Sequence, residues 1–476
     1  MSDDEADPEL VALLRAHLGL GPVDANAPAE TKVLDNASFI YNNSIDVALD
    51  MKGCQAAAAS IWSQMQAREY STSTWAEHEL HPKAKDEATV NFIFTMDLLN
   101  FSFWSEKGPD DRFSIVYKGR KWTGYWSLVA ALQRALDGDI PITDPSFWAD
   151  DEACTEDVLR TVFSSATDEE IPLFNERLQC LREAGKVLEE HFDGSIATLI
   201  SDAQNSAAKL VNLLADHFAC FRDEAKFEGK TVRLLKRAQI LVADLWAAFG
   251  GESYGEFHDI DKITMFADYR VPQMLYTLGC ISYSPPLEAR IRHHEEIEPG
   301  HSWELQLRGC SIWCVEQIRR EIVRCHPEAK VNAILLDFFL YDAMKELEKA
   351  GQEQIPHHRR ISGQGLQARG SHAVEFASMP MERYIVRGSH KPRLRDKLYI
   401  FNTFGLIIPY VGIVILNFVW KIAYINERGT CIIGMDKKAM MPLIIFDVVI
   451  NVRFTLSPSN HTLAADRYRS TSLLSS

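Results

Sequence analysis

The chain lacks the glycine signatures of the large phosphate- and cofactor-dependent enzyme classes. Its 476 residues contain no Gly-x-x-x-x-Gly-Lys-Ser/Thr loop, no dinucleotide fingerprint after a strand and no Gly-x-Ser-x-Gly elbow, which disfavours nucleotide triphosphate and hydride chemistry. Basic charge is also short. With 50 Lys/Arg against 66 Asp/Glu and a net charge of −16, the surface does not suit a phosphate backbone, so no direct nucleic-acid partner is expected. Metal-ligand spacing is missing as well. His78-Glu79-Leu80-His81 is not the zinc-protease pattern, and Cys310 and Cys314 stand one helical turn apart with no second pair nearby, so no metal site is expected. His293-His294 and His357-His358 lie in charged surroundings and read as solvated. The nine cysteines are odd in number and irregularly spaced, and the acidic start Met1-Ser2-Asp3-Asp4-Glu5 is no signal peptide. Both point to reduced thiols inside the cell, in the cytoplasm.

What is present is a core-forming composition, 46% hydrophobic and 10% aromatic, enough for one large core or two ordinary ones. Helical periodicity dominates. Ile196 to Phe221 carries apolar residues at three-and-four spacing, Ile240 to Phe249 stops at Gly250-Gly251, and Ile312 to Val323 follows Gly309 with the same period. Strand signals are few; the clearest is a hairpin from Phe113–Tyr117 through Lys118-Gly119-Arg120 to Lys121–Thr123. The predicted class is mainly α with a small β-hairpin. Residues 1–32 read as a loosely ordered segment with one short amphipathic helix, Leu10 to Leu20, and residues 33–362 as a helical domain. Composition then breaks. Residues 363–476 carry 14 Lys/Arg against 7 Asp/Glu, so this basic tail is +7 and the rest of the chain −23. The tail holds an apolar stretch read as a borderline transmembrane segment, 404–425, and a weaker one, 440–452. Two readings of the tail stay open: a membrane tether, or a gene-model read-through that joins an unrelated segment to the domain.

Asp268 is the residue that draws attention. It lies in Thr264-Met265-Phe266-Ala267-Asp268-Tyr269-Arg270-Val271-Pro272, a carboxylate among rings, where burial raises a pKa and a nearby arginine lowers it. It reads either as a tuned acid, base or charge stabiliser, or as a structural residue that pairs with Arg270 or caps the helix Pro272 begins. Similar acids in apolar rows, Asp337 and Asp342, stand in Val331 to Asp342, and Asn100 stands in Thr95 to Trp104. Aromatic faces with carboxylates suit a flat heterocycle that offers N–H groups, and several acids suit one that also carries a cationic amine.

Several longer words then coincide with a known family. Asp97 to Trp104 (D-L-L-N-F-S-F-W), Gly124 to Leu128, Lys236 to Asp244, Met265 to Pro272, Arg308 to Cys314, Leu335-Leu336-Asp337 and Ile355 to Arg359, in order from roughly residue 33 to 361, resemble the queuosine salvage proteins, the queuosine 5′-phosphate N-glycosylases/hydrolases. The resemblance implies a single helical domain similar to helix-hairpin-helix DNA glycosylases. It also implies hydrolysis of the N-glycosidic bond of queuosine 5′-phosphate, release of queuine for tRNA, and no metal or redox cofactor. It puts Asp268 at the catalytic carboxylate, and His78, Phe266, Asp337, Phe338 and Asp342 where the family contacts queuine. Charge alone nominates Lys236, Arg237 and Arg270 for the 5′-phosphate.

Two departures matter. Phe338 stands where relatives can have tyrosine, which removes a hydroxyl, and the match dissolves after Ile361 although the family finishes a few residues beyond Arg359. The alternative from another class is a non-catalytic queuine- or nucleoside-binding accessory protein of tRNA modification. The oligomeric state is left open, and a membrane partner follows only from a genuine tail.

Overall fold

The structure is a computed structural model that describes residues 28–68, 70–71, 75, 77–108 and 110–360, together with the two strands 421–425 and 431–435. The chain divides into two compact units, residues 1–369 and 370–476. The first is mainly helical, as its periodicity predicts. In chain order it runs α1 (Val33–Asn42), β1 (Val47–Leu49), α2 (Met51–Ala67), α3 (Glu87–Leu98), β2 (Ser114–Tyr117), β3 (Arg120–Thr123), α4 (Tyr125–Asp137), α5 (Pro145–Ala149), α6 (Glu156–Val162), α7 (Phe174–His191), α8 (Ile196–Asp202) and α9 (Ala207–His217). It continues with β4 (Glu224–Phe227), β5 (Lys230–Arg233), α10 (Lys236–Phe249), α11 (Arg270–Thr277), β6 (Ile281–Tyr283), α12 (Pro285–Arg292), β7 (Glu296–Ile297), α13 (Ser302–Cys325), α14 (Ala333–Lys349) and β8 (Arg359–Arg360). The strands only make two-stranded patches: antiparallel β1–β6, β2–β3 and β4–β5, and parallel β7–β8.

The helix α13 is the frame. It packs against α1, α2, α11 and α14, and it buries Glu304, Gln306, Arg308 and Ser311 along with its apolar residues. A helix that is buried on so many sides needs its polar groups bonded. Gln306 Oε1 accepts from Ser44 Oγ (2.7 Å) and from the backbone N–H groups of Ile45 (3.0 Å) and Asp46 (2.8 Å), which fastens the α1–β1 turn to it. Gly309 lies inside this helix, not before it; a Cβ there would meet Ile40 of α1 at 2.6 Å, so glycine is what lets the two helices approach.

Two sequence expectations change in detail. The run Ile196 to Phe221 is not one helix. It breaks at Gln204 and Asn205, whose φ angles are +52° and +58°, and restarts at Ser206, whose hydroxyl accepts from Lys209 N (3.1 Å). The apolar spacing continues across this corner because both helices face the same core. The hairpin forms as expected, with Lys118 and Gly119 both at positive φ (+50° and +74°) in its turn.

The second unit is described only as an antiparallel hairpin, β9 (Lys421–Ile425) with β10 (Cys431–Met435). The expected membrane segment 404–425 is therefore corrected at its end, where residues 421–425 are strand. Lys-Ile-Ala-Tyr-Ile is rich in β-branched and aromatic residues. Residues 404–420, the segment 440–452 and the helix Leu10 to Leu20 lie outside the described residues. No helix among the described residues is long and apolar enough to cross a membrane.

The turn that follows α11 comes close to the start of α2, where Asp50 N–H also donates to Cys280 O (2.8 Å). A Cβ on Gly53 would collide with the Gly279 carbonyl oxygen and lie 2.9 Å from its carbon, and backbone there cannot rotate away. Gly53→Ala is expected to destabilise the protein by about 1–3 kcal/mol, read as a lower thermal melting temperature; an unchanged melt would show that this contact is loose.

Candidate functional site

The segment Ile263 to Ala267 is buried, and Asp268 emerges from it half-buried at the start of α11. Its Oδ1 accepts two backbone N–H groups, from Arg270 (2.9 Å) and Val271 (3.0 Å), so the carboxylate caps the helix as the structural reading expects. Both bonds fall on one oxygen, which leaves Oδ2 outside the cap. The expected side-chain pairing with Arg270 does not occur. The Arg270 guanidinium turns to Glu348 (2.8 Å) and Glu353 (3.9 Å) and is only 7% exposed.

Asp337 approaches from α14. Its Oδ1 accepts the Phe266 N–H at 2.9 Å, so the two acids are separated by the short backbone stretch Phe266 to Asp268. Burial, and after it the neighbouring Asp268, push the Asp337 carboxyl well above the usual carboxylate range; the Phe266 N–H and the Lys236 charge oppose this. Asp337 therefore keeps its proton beside an anchored carboxylate. Phe266 and Phe338 meet at 6.1 Å between centroids, tilted by 52°. Asp342, one turn further along α14, accepts from the Tyr70 hydroxyl at 2.7 Å, and Tyr70 also lines a cleft of about 330 Å³ with Trp62, Met65, Val331 and Leu335.

The basic nominees separate. Lys236 opens α10 and its charge is felt by Asp337. Arg237, one residue on, points elsewhere: its guanidinium is buried and donates to Leu98 O (2.9 Å) and Cys220 O, over the ring of Phe101. It is a packing group rather than a phosphate ligand, because carbonyls already take up its donors. Arg270 is engaged by acids on α14 and beyond, as above.

His78 belongs to a neighbouring aromatic group. Its ring stacks on Trp126 at 3.3 Å and 14°, Nδ1 accepts from Leu80 N (3.2 Å), and burial lowers its pKa, so it is neutral with its proton on Nε2. His81 beside it is lowered to about 4 by burial. Its Nδ1 faces Trp75 O (2.8 Å) and its Nε2 the Tyr125 hydroxyl (3.0 Å); neutral His81 donates from Nδ1 and accepts at Nε2. Burial, above all, raises the Tyr125 and Tyr341 hydroxyls.

Two polar groups escaped assignment from sequence. One is the buried acid pair Asp97 and Asp244. Burial, then Asp244, pushes Asp97 well up, and burial raises Asp244 from 3.8 to about 7. The signal was an acid inside an apolar helical row, Thr95-Met96-Asp97-Leu98 and Val242-Ala243-Asp244-Leu245. The other is the ion group of Arg308, Asp223 and Glu304, buried throughout. Among the described residues, Cys54, Cys280 and Cys314 place their sulfurs within 4.8 Å of one another, all buried; the sequence spacing gave no hint of it, since three elements supply the thiols.

Comparison with known proteins now adds to this geometry. The family model described as queuosine salvage protein matches residues 80–362, and the chain belongs to that family. It is 47% identical over 327 residues to a protein of Schizosaccharomyces pombe, covering 67% of this chain and 93% of that one. It is 40% identical over 331 residues to one of Mus musculus (68% and 96% covered) and 41% over 304 residues to one of Sphaerobacter thermophilus (64% and 89%). All three relatives are named queuosine 5′-phosphate N-glycosylase/hydrolase.

The raised Asp244 carboxyl has a consequence for stability. Its folded pKa lies above the unfolded 3.8, so its favourable contribution is complete below 3.8 and is lost as pH rises toward about 7. Asp244→Asn removes that loss. The melting temperature of the variant minus that of the wild type should rise by about 2–4 °C between pH 5 and 8; a difference that stays flat would mean Asp244 is ionised throughout.

Proposed function

We propose that this protein hydrolyses the N-glycosidic bond of queuosine 5′-phosphate and releases queuine for tRNA queuosine salvage. The observation that carries the reading is Asp268, held by two backbone N–H groups on one oxygen with the other oxygen outside the cap, next to Asp337, whose burial keeps it protonated. The family and its named relatives support the reaction class. Cleavage sends the bonding electron pair to the base, builds positive charge on the sugar carbon, and ends when water adds its oxygen there and gives up a proton that replaces the one delivered to the base. Asp268 faces that charge, as electrostatic stabiliser or as nucleophile.

The leaving group needs separate help. A 7-deazaguanine has no N7 to protonate, so departure depends on hydrogen bonds or a proton delivered elsewhere on the base. Asp337, whose burial favours its protonated form, is the group suited to donate, and Asp268, anchored by backbone N–H groups, takes the anionic role. Asp342, with Tyr70, is placed for the cationic amine of the cyclopentene arm, and neutral His78 for the arm as well. Phe266 and Phe338 stack on the base once one ring turns, since their 52° tilt is not yet a parallel slot. Lys236 takes the 5′-phosphate; Arg237 does not, its donors being taken up by carbonyls, whereas Arg270 bonds Glu348 through Nη2 and keeps Nε and Nη1 without a hydrogen bond, so it stays a second phosphate candidate. The likeness to helix-hairpin-helix DNA glycosylases and a cytoplasmic location belong to the same reading and rest on the resemblance and the thiols.

Asp268→Asn is the decisive variant, because asparagine caps a helix as well as aspartate does and only the charge is lost. It should fold and lose at least about 100-fold in kcat, measured as queuine released from queuosine 5′-phosphate by mass spectrometry. Equal release by both proteins would move the catalytic role elsewhere, and queuine binding without release by wild type would favour the accessory-protein reading. Lys236→Ala should raise KM for the phosphorylated substrate about tenfold, the scale of one lost charged hydrogen bond; an unchanged KM removes Lys236 from the phosphate site.

A further inference from the structure

We propose that Arg308, together with Asp223, is the positioning group of this active site: one buried guanidinium sets the placement of Asp268 and Lys236 relative to each other. This rests on the hydrolase reading above. Arg308 lies on α13 and is 2% exposed. Its Nε donates to the Ala267 carbonyl at 3.1 Å, the peptide link whose nitrogen belongs to Asp268. Its Nη1 donates to Asp223 Oδ1 (3.0 Å) and Glu304 Oε1 (3.1 Å), and its Nη2 to Asp223 Oδ2. Asp223 passes the constraint on. Its Oδ2 accepts the backbone N–H of Lys236 (3.1 Å), and its carbonyl accepts those of Leu234 (2.9 Å) and Leu235 (3.3 Å), the residues that lead into α10.

The guanidinium therefore spans the two backbone points from which the catalytic carboxylate and the phosphate lysine depart. Stability alone does not account for the arrangement, because buried ion groups are often replaced by apolar residues without loss. What an apolar residue cannot do is hold the Ala267 carbonyl in a fixed direction. Lysine also fails, since it lacks the planar fork that bonds Asp223 through two nitrogens while the third serves Ala267. A shift near 1 Å of a reacting group away from its productive place lowers a rate about 100-fold.

The test uses the full chain with queuosine 5′-phosphate, well below the melting temperature of each variant. Arg308→Lys should lower kcat at least tenfold, while the Kd for free queuine stays within threefold of wild type, because the base contacts come from Phe266, Phe338 and Asp337. A folded Arg308→Lys protein with wild-type kcat, or one that loses queuine affinity in proportion to kcat, overturns the proposal. If Arg308→Lys does not fold, Asp223→Asn, which keeps the shape and removes the charge, carries the same two readings. Absence of release by the wild type would overturn the hydrolase reading and this inference together; release by the wild type with unaltered kcat in the variants overturns this inference alone.

Discussion

Two carboxyl groups meet one short stretch of backbone in unequal surroundings, and the site is arranged around that difference. Asp268 is anchored by the first N–H groups of α11 and partly open to solvent; Asp337 is buried on α14 and bonded to the N–H of Phe266. Their unequal surroundings divide one chemical group into two functions. The backbone between them is short, yet it is held at separate points: Asp337 takes the Phe266 N–H, and Arg308 holds the Ala267 carbonyl that leads to Asp268. The remaining polar contacts around the site serve to hold this stretch still.

The holding is done from α13. Its buried side chains reach outward to backbone, Gln306 to the α1–β1 turn and Arg308 to Ala267, while Glu304 on the same helix braces Arg308. A helix core is ordinarily apolar, and here the exceptions are the joints. Glu304, Gln306 and Arg308 are tolerated in the interior because they are bonded, and through those bonds irregular segments acquire the rigidity that a helix has by itself.

Much of this was legible in the sequence. Periodicity marked the helices, and Lys118-Gly119 marked a turn with two positive φ angles. Asp268 stood out because a carboxylate among Phe266, Tyr269 and Val271 needs a reason. What was not legible depended on contacts far apart in the chain. Arg237 and Lys236 are neighbours with the same charge, yet α10 directs one into the core and the other toward Asp337, and only tertiary packing decides which. Arg308 lay in a recognised word, but its partner Asp223 is 85 residues away. The break at Gln204 and Asn205 escaped because the apolar pattern runs straight through it.

The eight-residue helix α11 is short for its task, and its cap is the carboxylate to which the proposed reaction is assigned. Helix and reaction centre thus form a single cooperative unit: when the first turn frays, the two N–H donors leave Asp268 and the charge loses its bearing. Activity then follows the local opening of one short element, not the unfolding of the whole domain. The enzyme would fall silent on warming while most of its helices are still folded, a local fuse set below the melting point of the protein that carries it.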